Sequence, residues 1–332
     1  MTSQELVNEI GYTMIAFLVF FTLSQTQQHV DFFINALVVG SVAILIVALT
    51  GTPLVPSQWN SATYAGGVGG FSTYIAMILP IVLYRLITAR SLPVKVGCMI
   101  LLLGLLYAAL LTLNRAFWPV LSAETALFGI LALYRSNMAR QKKAWCAGGM
   151  VLVSAIIVTP IIVINGYKYG TKDLASVLTT FAGDPRIDSW AKILALTESH
   201  PWLGSGFGRY ALKNAYANSG LDPLFWHAHN VLLDYAVQLG LVGVVVFMAI
   251  LFLFTRYFWQ LHRATSSRQL SFLAIATLTL MLATISKNMT DDFFHRDVSL
   301  LFWSVLGLVM GIGLRQTTSP TNEKNSRNID AD

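Results

Sequence analysis

The chain is divided into long, nearly uninterrupted apolar blocks, and no other feature limits its possible folds so strongly. A helix needs about 20 mostly apolar residues to cross the hydrocarbon core of a membrane. Nine blocks come near that length: 8–25, 31–50, 71–88, 96–113, 117–134, 144–164, 231–254, 269–286 and 298–314. We therefore predict an all-α polytopic membrane protein with about nine transmembrane helices, forming a single integral membrane domain over residues 1–332.

Composition agrees with this prediction and excludes other classes of protein. Charged residues make up only 11% of the 332 residues, whereas soluble domains carry roughly 25%. The unbroken apolar runs differ from the alternating pattern of a membrane β-barrel. The polar start "MTSQELVNEI" has no basic region and no cleavage site follows it, so the first block does not have the pattern of a signal peptide.

The basic residues predict how the chain is oriented in the membrane. They cluster at 84–95, 134–143, 256–268 and in the polar tail 315–332, and all four clusters fall on one side if nine spans alternate. Cytoplasmic loops of membrane proteins are enriched in Lys and Arg, so that side is predicted to be cytoplasmic and the net charge of +6 needs no nucleic-acid partner. Cys98 and Cys146 lie at cytoplasmic span ends and suggest neither a disulfide framework nor a cysteine metal site.

The longest connection between spans, residues 165–230, is predicted to be a large loop on the non-cytoplasmic side that contains short amphipathic helices. Long connections are usually functional. In "GDPRIDSWAKILALTESHP", Asp184 is a candidate N-cap, Pro185 occupies the first helical position, and Arg186 and Trp190 share one face. The glycine turn "GSGFGRY" that follows has no preceding strand and no GK[ST], which argues against nucleotide binding.

Two histidines end this loop in "FWHAHNVLLDYAVQLGLVG". His227 and His229 are candidates for a general base, because imidazole titrates near neutral pH; the alternative is that they cap a helix and contact lipid headgroups. A metal site would need a third ligand, which the sequence does not offer convincingly. Asn230 is a candidate N-cap, and with Asp234 and Gln238 it forms a polar stripe that we expect to face the bundle interior or a wet cavity. Gly240 and Gly243 are predicted to let a neighbouring helix approach closely.

Other charged groups lie on the same predicted face. Arg115, in "NRAFW" between two spans, either binds an anion or extends its side chain to the membrane surface. Glu124, inside the next span, is either functional or paired with a basic neighbour. The cluster "KNMTDDFFHRD" from Lys287 to Asp297 is best interpreted as a solvated loop with local ion pairs, although its carboxylates could also hold a cation or hydroxyl groups.

Three of these stretches together resemble the O-antigen ligase family. The signature of a His, then Asn, Ser or Gln, nine residues and Gly-x-x-Gly is matched by His229, Asn230, Gly240 and Gly243. The upstream pattern of Arg, a Trp four later and P-x-x-G-x-G is matched by Arg186, Trp190, Pro201, Gly204 and Gly206. "LTLNRAFW" is similar to the family's T-x-S-R-G/A hairpin, with Asn114 in place of the usual Ser and Arg115 retained.

The resemblance implies an enzyme at the periplasmic face of the bacterial inner membrane. Its donor would be undecaprenyl-diphosphate-linked O-antigen, its acceptor a sugar hydroxyl on lipid A–core, and it would need neither a metal nor a cofactor. Arg115 and Arg186 would bind the diphosphate, and His229 would take the proton of the attacking hydroxyl. His227, Asn230, Asp234 and Trp190 would support the site.

Two other functions stay open at this stage. An O-antigen polymerase or a protein O-oligosaccharyltransferase of the same superfamily would share the donor chemistry and differ in acceptor. A transporter or flippase would require ionisable residues near mid-span and an inverted repeat with broken helices, and the sequence shows no clear repeat. The family usually has more spans and both termini in the cytoplasm, so either N-terminal spans are absent here or the first block is misassigned.

Overall fold

The computed structural model describes residues 7–50, 67–135, 148–149, 159–169, 179, 183–217, 227–291, 294 and 296–318. A short π-helical turn, Val7–Gly11, comes before the first helix. The α-helices are α1 (Tyr12–Leu23), α2 (Gln27–Thr50), α3 (Gly67–Thr88), α4 (Leu92–Leu111), α5 (Phe117–Arg135), α6 (Thr159–Tyr169), α7 (Pro185–Thr197), α8 (Arg209–Ala217), α9 (Val231–Ala264), α10 (Arg268–Asn288) and α11 (Arg296–Thr318). Within these ranges the chain is helical or irregular and contains no strand.

Seven helices, α2 to α5 and α9 to α11, are long and apolar enough to cross a membrane. They confirm seven of the predicted blocks and the all-helical, multi-pass class. The first block forms only the shorter apolar helix α1. Most of the block at 144–164 lies outside the described residues, as does Cys146. The total of nine spans and the periplasmic placement of the long loop therefore stay predictions.

Helix α10 lies at the centre of the bundle and packs against α3, α5 and α9. Its sequence is rich in Ala and Thr, whose small side chains let neighbouring helices approach closely. The hydroxyls of Thr277, Thr279 and Thr284 are buried, and each donates to the carbonyl oxygen four residues earlier at 2.8–2.9 Å. These bonds satisfy polar groups that would be costly to leave unpaired inside a membrane.

Helix α1 joins the bundle through tight contact with α11. A Cβ atom at Gly307 would collide with the carbonyl oxygen of Phe17, and one at Gly311 would collide with that of Phe21. The two glycines are four positions apart and therefore share one face of α11, which allows the backbones to touch. Arg315 then donates to the carbonyl oxygens of Phe21 and Ser24, at 3.0 Å each. The first apolar block is thus part of the folded domain despite its short helix.

The helix α9 is broken at Gly240, whose backbone is left-handed (φ 65°, ψ −168°). In an unbroken helix the amides of Leu241 and Val242 would bond to the carbonyls of Val237 and Gln238. Here Leu241 N–H donates to Pro201 O (2.8 Å) and Val242 N–H donates to Trp202 O (3.3 Å). The break leaves the carbonyls of Val237 and Gln238 without helical partners, and they accept hydrogen bonds from the loop 201–206 instead.

The carbonyl of Val237 accepts from Ser205 N–H at 2.8 Å, and that of Gln238 accepts from Gly206 N–H at 3.0 Å. Glycine is required on both sides of this contact. A Cβ at Gly204 would collide with the Gln238 backbone, and one at Gly240 would collide with the Trp202 backbone. The expectation that Gly240 admits a neighbouring helix was therefore wrong, because the segment that approaches it is the loop 201–206.

The helices α7 and α8 are held against the first turns of α9 by a small apolar core. This core consists of Ile193, Leu212, Tyr216, Ala228 and Val237. Helix α7 begins as predicted, with Asp184 as N-cap accepting from Arg186 N–H at 3.0 Å and Pro185 at the first position. The packing fixes α7 beside the segment 227–230, where the two histidines lie.

Candidate active site

Four contacts fix the histidine-bearing segment in place. The Asn230 side chain accepts from Leu232 N–H (3.0 Å) and Leu233 N–H (3.3 Å), which confirms it as the N-cap of α9. On one side of Ala228, its N–H donates to Asp234 Oδ1 at 2.9 Å. On the other side, its carbonyl accepts from Trp190 Nε1 at 2.8 Å. The backbone just before His229 is therefore clamped between α7 and α9.

His229 has a left-handed backbone, with φ of 52°. This conformation is uncommon for residues other than glycine, and it often marks functional sites. The backbone N–H of His229 donates to Nδ1 of His227 at 3.1 Å, and the two rings lie 3.9 Å apart. His227 Nδ1 is thus an acceptor, and the buried His227 helps to set the direction of the His229 ring.

The His229 ring faces the carboxylate of Asp291. Its Nδ1 lies 3.9 Å from Asp291 Oδ1. The guanidinium of Arg186 donates to the same Oδ1 at 3.4 Å. The structure therefore brings Arg186 and His229 together, as the sequence motifs predict, and it does so around an acidic residue that the motifs do not contain.

The second oxygen of Asp291 is held by two other groups. Oδ2 accepts from the ammonium of Lys287, which is fully buried, and from the Asn114 side-chain amide at 3.1 Å. The same Asn114 amide donates to Ser72 Oγ at 3.0 Å. Asp291 thereby joins the start of α3, the hairpin before α5, helix α7 and the end of α10. We refer to Arg186, His229, Lys287, Asp291 and Asn114 as the Asp291 cluster.

Electrostatics within the Asp291 cluster sets the protonation of its acid and its base. Burial alone would raise the pKa of the Asp291 carboxyl, but the Lys287 ammonium, with help from Arg186, holds that pKa below its usual range. Burial lowers the pKa of His229 and the Arg186 guanidinium lowers it further, while the Asp291 carboxylate opposes both. At neutral pH the cluster thus contains a carboxylate and a neutral imidazole able to accept a proton.

The remaining predicted site residues have other positions. Arg115 is half-buried and directly follows Asn114, so the hairpin brings its backbone to the edge of the Asp291 cluster. Asp234 accepts from Tyr216 Oη at 2.8 Å, and the Gln238 side chain accepts from Gly208 N–H at 2.7 Å. The polar stripe of α9 therefore holds the loop onto the helix and does not face a wet cavity.

Sequence reasoning named Lys287 and Asp291 but did not place them beside Arg186 and His229. Their interpretation as part of a solvated loop was wrong, because Lys287 is fully buried and Asp291 is only 6% exposed. A Lys in the last turn of a span, four residues before an Asp, was a usable signal. Of the same stretch, Asp297 is exposed, and Asp292 and His295 lie outside the described residues.

Glu124 is a separate case. It is fully buried within α5, and neither of its carboxyl oxygens has a hydrogen-bond partner among the described residues. The structure therefore does not link Glu124 to the Asp291 cluster by a hydrogen bond.

A cavity of about 670 Å³ opens between α1, α9 and α11. The end of the cavity near the break in α9 is lined by Phe207, Leu239 and Gly243, and the cavity continues along the helices to Phe254 and Trp303. Almost all of its wall is apolar. A cavity of this shape and chemistry can accommodate a hydrocarbon chain.

These features define the class of protein. It is a multi-pass helical membrane protein with a buried, charged cluster at one end of its bundle. Residues 99–248 match the family model described as O-Antigen ligase. The match covers the part of the chain that bears the motifs and confirms the resemblance found in them. A search of curated proteins finds no match to the chain.

The matched segment contains the hairpin with Arg115, helix α7 and the histidine segment, whereas Lys287 and Asp291 lie beyond it. Within the described part of the chain, no three His, Cys, Asp or Glu side chains are grouped as metal ligands would be. Metal independence stays a prediction of the resemblance.

Proposed function

We propose that the protein is an O-antigen ligase that transfers a glycan from undecaprenyl diphosphate to a sugar hydroxyl of lipid A–core. The reaction takes place at the periplasmic face of the bacterial inner membrane and needs no cofactor. The observation that carries the proposal is the convergence of Arg186 and His229 on Asp291. An anion-binding guanidinium and a neutral imidazole lie side by side at the start of a span, where a lipid-linked substrate presents its reactive bond.

The donor is bound through its diphosphate and its lipid. Arg186 and Arg115 supply guanidinium groups, whose paired N–H donors suit phosphate oxygens. When the glycosidic bond breaks, negative charge develops on the leaving diphosphate, and these donors stabilise it. The apolar cavity between α1, α9 and α11 supports a place for part of the polyprenyl chain.

The acceptor is activated by His229. The acceptor oxygen attacks the anomeric carbon of the donor sugar, and the bond from that carbon to the diphosphate oxygen breaks with its electron pair leaving on the diphosphate. The hydroxyl proton passes to Nε2 of His229. Since burial and Arg186 hold the pKa of His229 below its ordinary value, the imidazole is unprotonated and ready to accept at neutral pH.

An O-antigen polymerase or a protein O-oligosaccharyltransferase would use the same donor and base with a different acceptor. The family match does not distinguish the ligase reaction from the polymerase reaction. The broken helix α9 is a feature that a transporter would also have. However, its freed backbone groups pair with the loop 201–206, so they are not available to coordinate a substrate.

Deletion of the gene separates the two glycan reactions. A ligase deletion should give rough lipopolysaccharide with accumulated, already polymerised lipid-linked glycan. Lipopolysaccharide that carries single glycan repeats would instead identify a polymerase. Complementation with the wild-type chain should restore lipopolysaccharide that carries the glycan. Complementation with His229→Ala should not.

A further inference from the structure

One oxygen atom of Asp291 is shared by two residues with different roles in the proposed reaction. Asp291 Oδ1 lies 3.4 Å from the Arg186 guanidinium and 3.9 Å from Nδ1 of His229. A charge-assisted hydrogen bond is about 2.7–2.9 Å long. Both contacts with Oδ1 are therefore longer than a full charge-assisted hydrogen bond, although both groups point to the same atom.

Asp291 itself cannot move to favour one partner. Its Oδ2 is held by the buried ammonium of Lys287 and by the Asn114 amide, which is in turn bonded to Ser72 in α3. Arg186 is the mobile partner, because its side chain is long and 31% exposed. His229 is anchored at its backbone by the contacts around Ala228, so only its ring can turn.

We propose that Asp291 is a positioning residue whose Oδ1 passes from Arg186 to His229 when the donor binds. This inference rests on the proposed function. The donor diphosphate is a doubly charged partner for Arg186 and draws its guanidinium away from the carboxylate. Oδ1 then accepts a full hydrogen bond from the Nδ1–H of His229.

The exchange links donor binding to acceptor activation. With Nδ1–H bonded to Asp291, the lone pair of the imidazole is on Nε2, which faces the acceptor hydroxyl. The Nδ1 proton stays on the ring, and the hydroxyl proton arrives at Nε2. The adjacent carboxylate then stabilises the imidazolium that forms during transfer. His229 is therefore most basic when a donor is bound.

The charged groups that act on His229 predict a pH signature. These groups are Arg186, Asp291, Asp184 and Lys287. In the free enzyme, burial and Arg186 keep the pKa of His229 below its ordinary value. When the donor binds Arg186, the guanidinium lowers the pKa of His229 less strongly, so this pKa rises. The acid limb of kcat, which reports the bound enzyme, should therefore lie at higher pH than that of kcat/KM, which reports the free enzyme.

The test uses the full chain reconstituted in proteoliposomes, with undecaprenyl diphosphate as the binding probe and lipid-linked glycan as the substrate. Asp291→Asn leaves the buried Lys287 uncompensated and is prone to unfold. The double variant Asp291→Asn with Lys287→Met removes both charges and serves as the folded test. Asp31→Asn is the matched control, since among the described residues Asp31 accepts hydrogen bonds from neutral side-chain amides, those of Gln27 (3.1 Å) and Gln269 (2.8 Å).

The double variant should bind undecaprenyl diphosphate at least as tightly as the wild type, because Arg186 no longer has a competing partner. Its kcat should fall by about tenfold or more, a part of the roughly 10²–10⁴-fold that a positioned base contributes. The separation between the acid limbs of kcat and kcat/KM should narrow. Asp31→Asn should change none of these quantities.

Two results would overturn the inference while leaving the proposed function intact. One is a double variant with wild-type kcat and pH profiles. The other is a parallel loss of probe binding and turnover, which would make Asp291 a structural support only. Absence of glycan transfer by the wild type itself would overturn the proposed function and the inference together.

Discussion

His229 lies just before the N-terminal end of helix α9 and His262 lies near its C-terminal end, and the surroundings of these two histidines differ. His262, near the C-terminal end, is fully buried and its Nδ1 is hydrogen-bonded to Ser271 Oγ at 2.9 Å. His229, before the N-terminal end, keeps 24% of its side chain exposed and faces a carboxylate at 3.9 Å. His262 is thus held by a buried neighbour through its Nδ1, whereas His229 lies in a partly open, charged cluster.

The other polar groups at the two ends follow the same division. Near His262, Arg135 donates to the Thr265 carbonyl and Gln269 donates to Asp31 at 2.8 Å. These contacts join the ends of neighbouring helices to one another. In the Asp291 cluster one carboxylate is shared by several donors, and two of its contacts are long. A ligand can displace long, shared contacts at a partly exposed position, so the comparison supports the proposal that the Asp291 cluster binds a ligand and that the His262 end supports the fold.

The largest effect that separates the two ends is expected from removing the histidines. His229→Ala should lower glycan transfer by roughly 10²–10⁴-fold, since it removes the proposed base. His262→Ala should retain transfer and lower stability by about 1 kcal/mol, the typical value of a lost hydrogen bond. Transfer by reconstituted protein and the yield of detergent-stable protein measure the two outcomes. Near-normal transfer by His229→Ala would remove its role as base.

Replacement of the arginines comes next in size. Arg186→Lys should lower transfer by about tenfold, because an ammonium keeps the charge but loses the planar pair of donors that suits a diphosphate. Arg315→Lys is the control, since Arg315 donates to the carbonyls of Phe21 and Ser24 at the opposite end. It should lower stability and leave the KM for the donor unchanged. An equal rise of KM in both variants would contradict the assignment of the two ends.

A smaller effect should follow from disturbing the break in α9. Gly204→Ala places a Cβ against the Gln238 backbone at a residue with φ of 68°, so we expect a loss of about 1–3 kcal/mol. Gly97→Ala is the matched control, because its Cβ would meet no atom within 4 Å. Thermal unfolding in detergent measures both. A Gly204→Ala variant as stable as Gly97→Ala would show that the loop 201–206 does not hold the break.

The smallest effect is expected at Glu124. Its carboxyl oxygens have no hydrogen-bond partner among the described residues, and an unpaired buried charge would be costly. Glu124→Gln conserves shape without adding charge, so transfer and stability should stay within about twofold and about 0.5 kcal/mol of the wild type. Loss of transfer at unchanged stability would add Glu124 to the functional residues and extend the site into the bundle.

Local sequence patterns predicted much of this molecule. Seven spans follow from apolar length alone, and the N-caps Asp184 and Asn230 follow from short-range helix chemistry. Two features were not predictable in that way. Asp291 meets Asn114 across 177 positions, and the break at Gly240 depends on a loop that supplies backbone partners. Each is a long-range contact, and a motif records its residues without showing what they touch.

The central claim is that the diphosphate binds at the Asp291 cluster, and photo-crosslinking tests it most directly. The probe is undecaprenyl diphosphate with a photoreactive group next to the diphosphate, and the adducts are mapped by mass spectrometry on the reconstituted full chain. The account predicts adducts on peptides that contain Arg186 and His229, suppressed by unlabelled undecaprenyl diphosphate. Adducts confined to peptides around His262 and Asp31 would contradict it.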